Sequence, residues 1–288
     1  MSDYDVLMIG NFAKDKIIVD GVEETLSGSG VYFGSVVIRR LGLKVAVVTR
    51  LHPSDFPRLD EIRAEGVDVF ASPAEGTSGI ANYYDSRDME RRICKPIGFG
   101  GKYEVEQIPN LKARLIILSP LFAGEVDLPF LQAMAERAPV AMDIQGFVRV
   151  VVGEDLLFQP WADLDEGLKS ISYLKVDRAE AEFLTGLSEP REAAAALARR
   201  GPKEIVLTQS SGVMAYAGGA FYQAPFNPRS LVGRTGRGDT CFCSYLAKRL
   251  DHDPQTAVNW AGVITSLKQE VPGPWKGTPA QVEAILQA

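Results

Sequence analysis

The densest chemistry in this chain lies in Gly233-Arg234-Thr235-Gly236-Arg237-Gly238-Asp239-Thr240. Two glycines bracket an arginine, an aspartate follows, and a largely apolar run begins at Cys241-Phe242-Cys243-Ser244-Tyr245-Leu246. A loop that turns into a helix presents backbone N–H groups at the positive end of the helix dipole, which suits an anion. Asp239 stands where the loop becomes the helix. A carboxylate beside a phosphate cradle can take the proton from an attacking hydroxyl, as phosphoryl transfer requires. The same residues also read as an ordinary helix start, with Asp239 as N-cap and the glycines as a turn.

Three further constellations hold ligand-type residues. Gly10-Asn11-Phe12-Ala13-Lys14-Asp15 follows the apolar run Val6-Leu7-Met8-Ile9, which places Asn11 and Asp15 at or near a strand's carboxyl end. An amide and a carboxylate can each hold a hydroxyl, so the pair suits a polyhydroxylated ligand. Gly28-Ser29-Gly30 opens an apolar helix ending at Leu41-Gly42, and glycines let a backbone approach a ligand closely. With Gly34, and with Arg50 about twenty residues on, it comes near the fingerprint of an NADP site. However, Glu23-Glu24-Thr25-Leu26-Ser27 stands where that fingerprint needs a buried strand. Asp177 and Glu180 follow Ile171-Ser172-Tyr173-Leu174-Lys175-Val176. Three apart, they share one helix face and can order magnesium waters around phosphates, or simply serve as acids favoured by a helix dipole. Neither a P-loop nor a G-x-S-x-G elbow is present.

Composition narrows the class. The chain has 288 residues, 46% hydrophobic and 24% charged, an ordinary globular balance with material for a core. A net charge of −6 with no Lys/Arg-rich block argues against nucleic acid as partner. No apolar run approaches the roughly 20 residues of a membrane span. The start, Met1-Ser2-Asp3-Tyr4-Asp5, lacks the basic character of a signal peptide, so the expectation is a soluble, cytoplasmic protein. Cys94, Cys241 and Cys243 fit neither a disulfide framework nor a zinc pattern. Cys241 and Cys243, two apart, are expected on different faces of one helix as small buried hydrophobes. His52 and His252 read as surface residues.

Elements must position these groups. Near-continuous apolar runs at 6–9, 45–48, 115–118, 140–142 and 205–207 are the form of strands buried on both faces. Helical patterns are predicted at about 30–41, 55–65, 126–137, 179–186, 190–200, 239–250, 254–268 and 279–287, with Asp253-Pro254 and Thr278-Pro279 as N-caps followed by Pro. This alternation implies an α/β fold with a parallel sheet flanked by helices. Residues 16–22 and 79–105 break the rhythm and read as exposed antiparallel strands forming a small second sheet over a cleft. Such a lid excludes water during transfer chemistry.

In this order, these residues resemble the ribokinase-like, or PfkB, family of sugar and nucleoside kinases over nearly the whole chain. The resemblance implies a three-layer αβα sandwich with a mainly parallel central sheet, one domain over 1–288, and a β-sheet lid from segments near 11–28 and 79–105. It implies Asp239 as the base that deprotonates the acceptor hydroxyl, with the backbone of Gly236, Arg237 and Gly238 as anion hole. Asn11, Asp15, Gly28, Ser29, Gly30, Asp143 and Arg149 would bind substrate. Thr208, Ser210, Gly212 and Lys268 would serve the nucleotide, with Ala257–Lys268 and Pro272-Gly273 beside the adenine. Asp177 and Glu180 stand at the family's N-x-x-E motif, which acts through magnesium and phosphate.

The chain also departs from that pattern. Gly233 and Arg234 replace an Asp-Thr pair, Arg237 a small residue, Asp177 an Asn, Ser29 a glycine and Phe33 an Asn. Gly10-Asn11 to Asp15, Asp20-Gly21-Val22, Glu24-Thr25-Leu26 and Phe33 look more like the family's inositol kinases, which makes a cyclitol a candidate acceptor. The resemblance thus implies an ATP- and Mg²⁺-dependent kinase for a small polyol, and exposed strand edges at 16–20 and 79–105 permit a homodimer through the lid. Three other readings compete: a sugar-binding regulator that has lost catalysis, an adhesion protein displaying Arg237-Gly238-Asp239, and an NADP oxidoreductase.

Overall fold

The apolar runs form the middle of a nine-stranded sheet. The computed structural model describes residues 2–288, so Met1 lies outside the described residues. The chain begins with β1 (Tyr4–Ile9), β2 (Ala13–Val19), β3 (Val22–Gly28), α1 (Gly30–Arg40) and β4 (Val45–Leu51). A 3₁₀ turn, Pro53–Leu59, leads into α2 (Asp60–Arg63), then β5 (Asp68–Pro73), β6 (Ile80–Asp85) and β7 (Asp88–Pro96). Next come β8 (Ala113–Leu118), α3 (Leu128–Arg137), β9 (Val140–Asp143), α4 (Gln145–Val148), β10 (Arg149–Val152), β11 (Asp155–Phe158) and α5 (Leu164–Lys169). The C-terminal half runs through β12 (Tyr173–Asp177), α6 (Arg178–Thr185), α7 (Pro190–Ala198), β13 (Glu204–Thr208), β14 (Gly212–Ala217) and β15 (Ala220–Pro225) to α8 (Arg237–Arg249), α9 (Pro254–Gln269) and α10 (Pro279–Gln287).

The sheet order is β15-β14-β13-β12-β9-β8-β1-β4-β5. From β13 to β5 every pairing is parallel, and β14 and β15 add an antiparallel edge. Alternate residues of a strand face opposite sides. Val6 and Met8 of β1 therefore join one core layer, with Cys241, Cys243 and Trp260, while Leu7 and Ile9 join the other, with Met134 and Leu197. All four β1 residues are fully buried, which is why the run carries no polar residue. This is the expected α/β sandwich. Strand order reverses at β1, between β4 and β8, and the ligand crevice of such a sheet opens beyond the carboxyl ends at that point.

The lid is a four-stranded sheet, β3-β2-β6-β7. It is mixed rather than antiparallel, because β2 and β6 run parallel while the outer pairs are antiparallel. Residues 16–19 lie in β2, an interior strand, so the free edges belong to β3 and β7. Beyond Pro96 the segment leaves the sheet and forms a 3₁₀ turn, Val105–Gln107. A separate hairpin, β10–β11, was not evident in the sequence.

Several local expectations change. The helix expected at 55–65 is a 3₁₀ turn followed by one α turn, since Pro57 sits inside it and lacks the N–H an α-helix needs. Helix α8 begins two residues early, at Arg237, with Gly236 as N-cap at φ 79°, so Asp239 lies in the first turn rather than at the cap. Cys241 and Cys243 are both buried, but in one core layer rather than two, and burial pushes the Cys241 thiol up to about 12. His52 and His252 are exposed, and His52 accepts the Ser54 N–H. No described helix is long and apolar enough to cross a membrane.

Candidate active site

A cavity of about 250 Å³ opens where β9, β12 and β13 end, between the first turn of α8 and the lid. The first N–H groups of α8 have no acceptor within the helix itself. The Arg237 N–H turns back to the Arg234 carbonyl, and Thr240 donates to Gly236. That arrangement leaves the Gly238 and Asp239 amides at the positive helix end on the cavity wall. Gly236 is required twice over. Its φ is left-handed, and a Cβ there would come within 2.4 Å of the Phe33 ring. Phe33, on the buried face of α1, also lines the cavity.

Asp15 reaches the cavity from β2 and is 7% exposed. Its Oδ1 accepts the Ile80 N–H at 2.8 Å, which ties the carboxylate to the second lid hairpin. Across the β2–β3 pair, a Cβ on Gly28 would lie 2.0 Å from Asp15 Oδ2. Gly28 therefore makes room for the carboxylate and does not itself line the cavity. Gly30 plays a similar part, since a Cβ there would lie 1.9 Å from Ser119 Oγ and 3.1 Å from Asp239 Oδ1. Ser29 between them does face the cavity. It is held at φ 85°, rare for a residue with a Cβ, and its buried Oγ meets no hydrogen-bond partner among the described residues.

The opposite wall is ionic. Lys175 and Asp143 are register partners on β12 and β9, and their side chains pair at 2.8 Å. Burial alone would lower the Lys175 pKa, but Asp143, Glu180 and Asp177 more than reverse this and hold it charged. Burial and the Asp239 charge push the Asp143 carboxyl up. The buried ammonium beside it nonetheless keeps it ionised, because a neutral Asp143 would strip that ammonium of its nearest counter-charge. Glu180 is fully buried and raised by burial. Its oxygens are engaged by the Asp177 N–H at 2.7 Å and by Arg149 at 3.3 Å, and Lys175 lies 3.7 Å away. Asp177 and Glu180 thus close a reciprocal capping box on α6. Asp177, 36% exposed at the cavity wall, is the carboxylate of this pair that suits a phosphate-bound divalent ion. Among the described residues no group of three or more His, Cys, Asp or Glu is arranged to hold a metal.

Ten of the residues singled out in the sequence line this one cavity: Asp15, Ser29, Asp143, Arg149, Asp177, Thr208, Gly236, Arg237, Gly238 and Asp239. Asn11 is fully buried behind it instead, donating to Ser78 at 3.2 Å and accepting from Tyr103 at 2.9 Å. Ser78 donates in turn to Glu125, whose other oxygen accepts the Leu121 N–H at 2.6 Å. Glu180 and Lys268 stand behind the wall rather than on it. Ser210 is exposed in the turn between β13 and β14, where Gly212 begins β14. Lys175, Gln145, Asn82 and Leu121 line the cavity without having been recognised as site residues, and Thr235 of the loop stretch lines it too. The register partnership of Lys175 with Asp143 was the missing signal, and it exists only across strands.

Comparison with known proteins identifies the family and the fold. Residues 34–274 match the pfkB family of carbohydrate kinases. A pyrophosphate-dependent kinase of the ribokinase family, solved with sulfate, superposes with a TM-score of 0.90 at 31% identity, covering 98% of this chain and 100% of that one. A pyrophosphate-dependent myo-inositol-1 kinase converted into a myo-inositol-3 kinase gives a TM-score of 0.88 at 31% identity, covering 98% of each chain. A cytidine kinase of Thermococcus kodakarensis is 24% identical over 258 residues, 84% of this chain and 87% of its own. The ribokinase of Arabidopsis thaliana, complexed with ribose and ATP, shares the fold at a TM-score of 0.77 and 19% identity. This chain belongs to the pfkB family of carbohydrate kinases, phosphotransferases that act on a hydroxyl acceptor.

Proposed function

We propose that this kinase phosphorylates a hydroxyl of a small neutral polyol of the cyclitol class, with inorganic pyrophosphate as its donor. The observation that carries the acceptor is the unpartnered Ser29 Oγ on a cavity wall shared with Asp15, Asn82 and Gln145, a set that can hold several hydroxyls. The donor reading rests on charge. Arg234 and Arg237 line the cavity beside the first turn of α8, while Arg149 and Lys175 are paired with Glu180 and Asp143, so a polyanion as compact as pyrophosphate meets two guanidinium groups at the helix end. It also rests on the likeness to solved structures of pyrophosphate-dependent kinase. ATP is the competing donor. A more apolar groove of about 290 Å³ between Pro225, Val263 and Leu267 lies where adenine is expected, beside α9.

In this reading Asp15 and Ser29 orient the acceptor. Asp239 takes the proton of its hydroxyl, the oxygen's electron pair forms the new P–O bond, and the bridging P–O bond breaks toward the leaving phosphate. The Gly238 and Asp239 amides with Arg237 stabilise the charge on the transferring group. A divalent ion carried by the donor, with Asp177 as its protein carboxylate, would neutralise phosphate charge. Asn11 and Glu180 act as positioning groups behind the wall.

The test is product formation with pyrophosphate or ATP against cyclitols, pentoses, hexoses and nucleosides, with Asp239→Asn as control. Turnover of a cyclitol with pyrophosphate, lost in the variant, is the expected result. Turnover with ATP alone would replace the donor, and another acceptor class would replace the cyclitol. Ligand binding without turnover under every pairing would favour a regulator.

A further inference from the structure

Lys268, in the last turn of α9, is 1% exposed, yet among the described residues no carboxylate forms an ion pair with its ammonium group. Its Nζ donates to two backbone carbonyls of the loop before α8, those of Gly233 and Thr235. It also lies 5.0 Å from the centre of the Phe33 ring, the same ring that blocks any side chain at Gly236. The loop is fastened to α9 at a third point, where the Gly233 N–H donates to the Gln269 carbonyl at 2.8 Å. At that point a Cβ on Gly233 would lie 2.0 Å from the Val271 carbonyl oxygen.

Burying an ammonium is costly, and backbone carbonyls are weak compensation for it. Burial lowers the Lys268 pKa to about 8, while the Asp239 carboxylate opposes the fall. A residue kept under such conditions needs a reason, because a Leu or Met would fill the space without the desolvation penalty.

We propose that Lys268 is a built-in cation that sets the peptide orientation of the anion loop, a positioning residue for phosphoryl transfer. A peptide plane carries its C=O and the next N–H on opposite sides. Holding the Thr235 carbonyl against Lys268 therefore turns the Gly236 amide away from it. A neutral side chain at 268 would leave two carbonyls without a donor and free those planes to rotate. The buried charge also adds to the field of Arg234 and Arg237 behind the donor phosphates. This role rests on the kinase reading above, but loop order and anion binding can be measured without turnover.

The test compares wild type with Lys268→Met and Lys268→Arg by hydrogen exchange over 233–240 and by calorimetric binding of pyrophosphate. Lys268→Met should lose exchange protection in that loop alone and bind pyrophosphate at least about tenfold more weakly, the scale of one charge-assisted hydrogen bond. Ammonium chloride should restore part of the binding in Lys268→Met but not in wild type, with sodium chloride at equal ionic strength as control. Lys268→Arg, which keeps the charge, should fall between the two. Where turnover is measurable, the loss should appear in kcat and in the donor KM, with the acceptor KM unchanged. Wild-type exchange and pyrophosphate affinity in Lys268→Met would overturn the proposal. So would a loss that ammonium does not relieve, or a Met variant that cannot fold while Lys268→Gln folds and binds normally. A wild type that binds pyrophosphate without turning it over leaves this proposal testable and defeats only the donor reading.

Discussion

At the scale of single residues, the site depends on a few atoms in fixed places. Asp239 is the one carboxylate in the first turn of α8, set among the amides of the anion loop. Asp239→Asn keeps the size of the side chain and removes its basicity. The expected result is unchanged folding with kcat down by at least about a hundredfold, the lower end for losing a general base. Steady-state kinetics beside circular dichroism checks this, and a near wild-type rate would remove Asp239 from the role. Gly236 is a different kind of requirement. Gly236→Ala puts a methyl group against Phe33 in a backbone region that disfavours it, at about 1–2 kcal/mol for the left-handed conformation alone. Lower denaturation midpoints together with reduced kcat are expected, because the same φ aims the loop. Most of these residues were legible because their motifs are local: a loop, a turn and a helix start within eight residues.

At the scale of elements, packing of α1 against α8 sets the distance between the acceptor wall and the anion loop. Gly34 is the contact point, where a Cβ would lie 2.4 Å from Cys243 Sγ and 2.8 Å from Met8 Cε. Gly34→Ala gains helix propensity but overpacks this junction. A net loss of about 1–2 kcal/mol is expected in denaturant unfolding. Cys243→Ala in the same chain should recover much of it, since the clash is with that sulfur. The near miss with a dinucleotide fingerprint has its explanation here. Gly28 and Gly34 answer to Asp15 and Cys243, two unrelated neighbours. The lid edge expected at 16–20 was misplaced for a similar reason, while 79–105 does contain an edge strand, β7. Strand character in 16–20 is local, but which strand lies outermost depends on pairing. Val22 on β3 and Ile93 on β7, 76% and 64% exposed, mark the outer edges of the lid sheet.

At the scale of the whole molecule, one buried acid links the sheet, the lid and the cavity. Glu125 is fully buried, and burial raises its carboxyl from 4.5 to about 7 against the hydrogen bonds from Leu121, Asn11 and Ser78. Between those values the folded protein keeps a proton that the unfolded chain releases. Glu125 therefore contributes stability that is complete below about pH 4.5 and is lost as pH rises toward 7. The slope is at most about 1.4 kcal/mol per pH unit. Unfolding measured from pH 4.5 to 8 should show this fall in wild type and a flatter curve in Glu125→Gln. Parallel curves would show that Glu125 does not titrate in this range.

The sequence by itself determined the α/β class, the parallel sheet, the lid segments and the loop that carries Asp239. Each is written in short-range periodicity or in turn chemistry, and short-range physics decides them. Only the tertiary structure decided that Asp143 faces Lys175, thirty-odd residues away, that Glu180 is spent inside the wall, and that Lys268 reaches back beneath the anion loop. Those contacts depend on strand register and helix docking, which sum weak preferences from the whole chain and leave no mark in any one stretch of it.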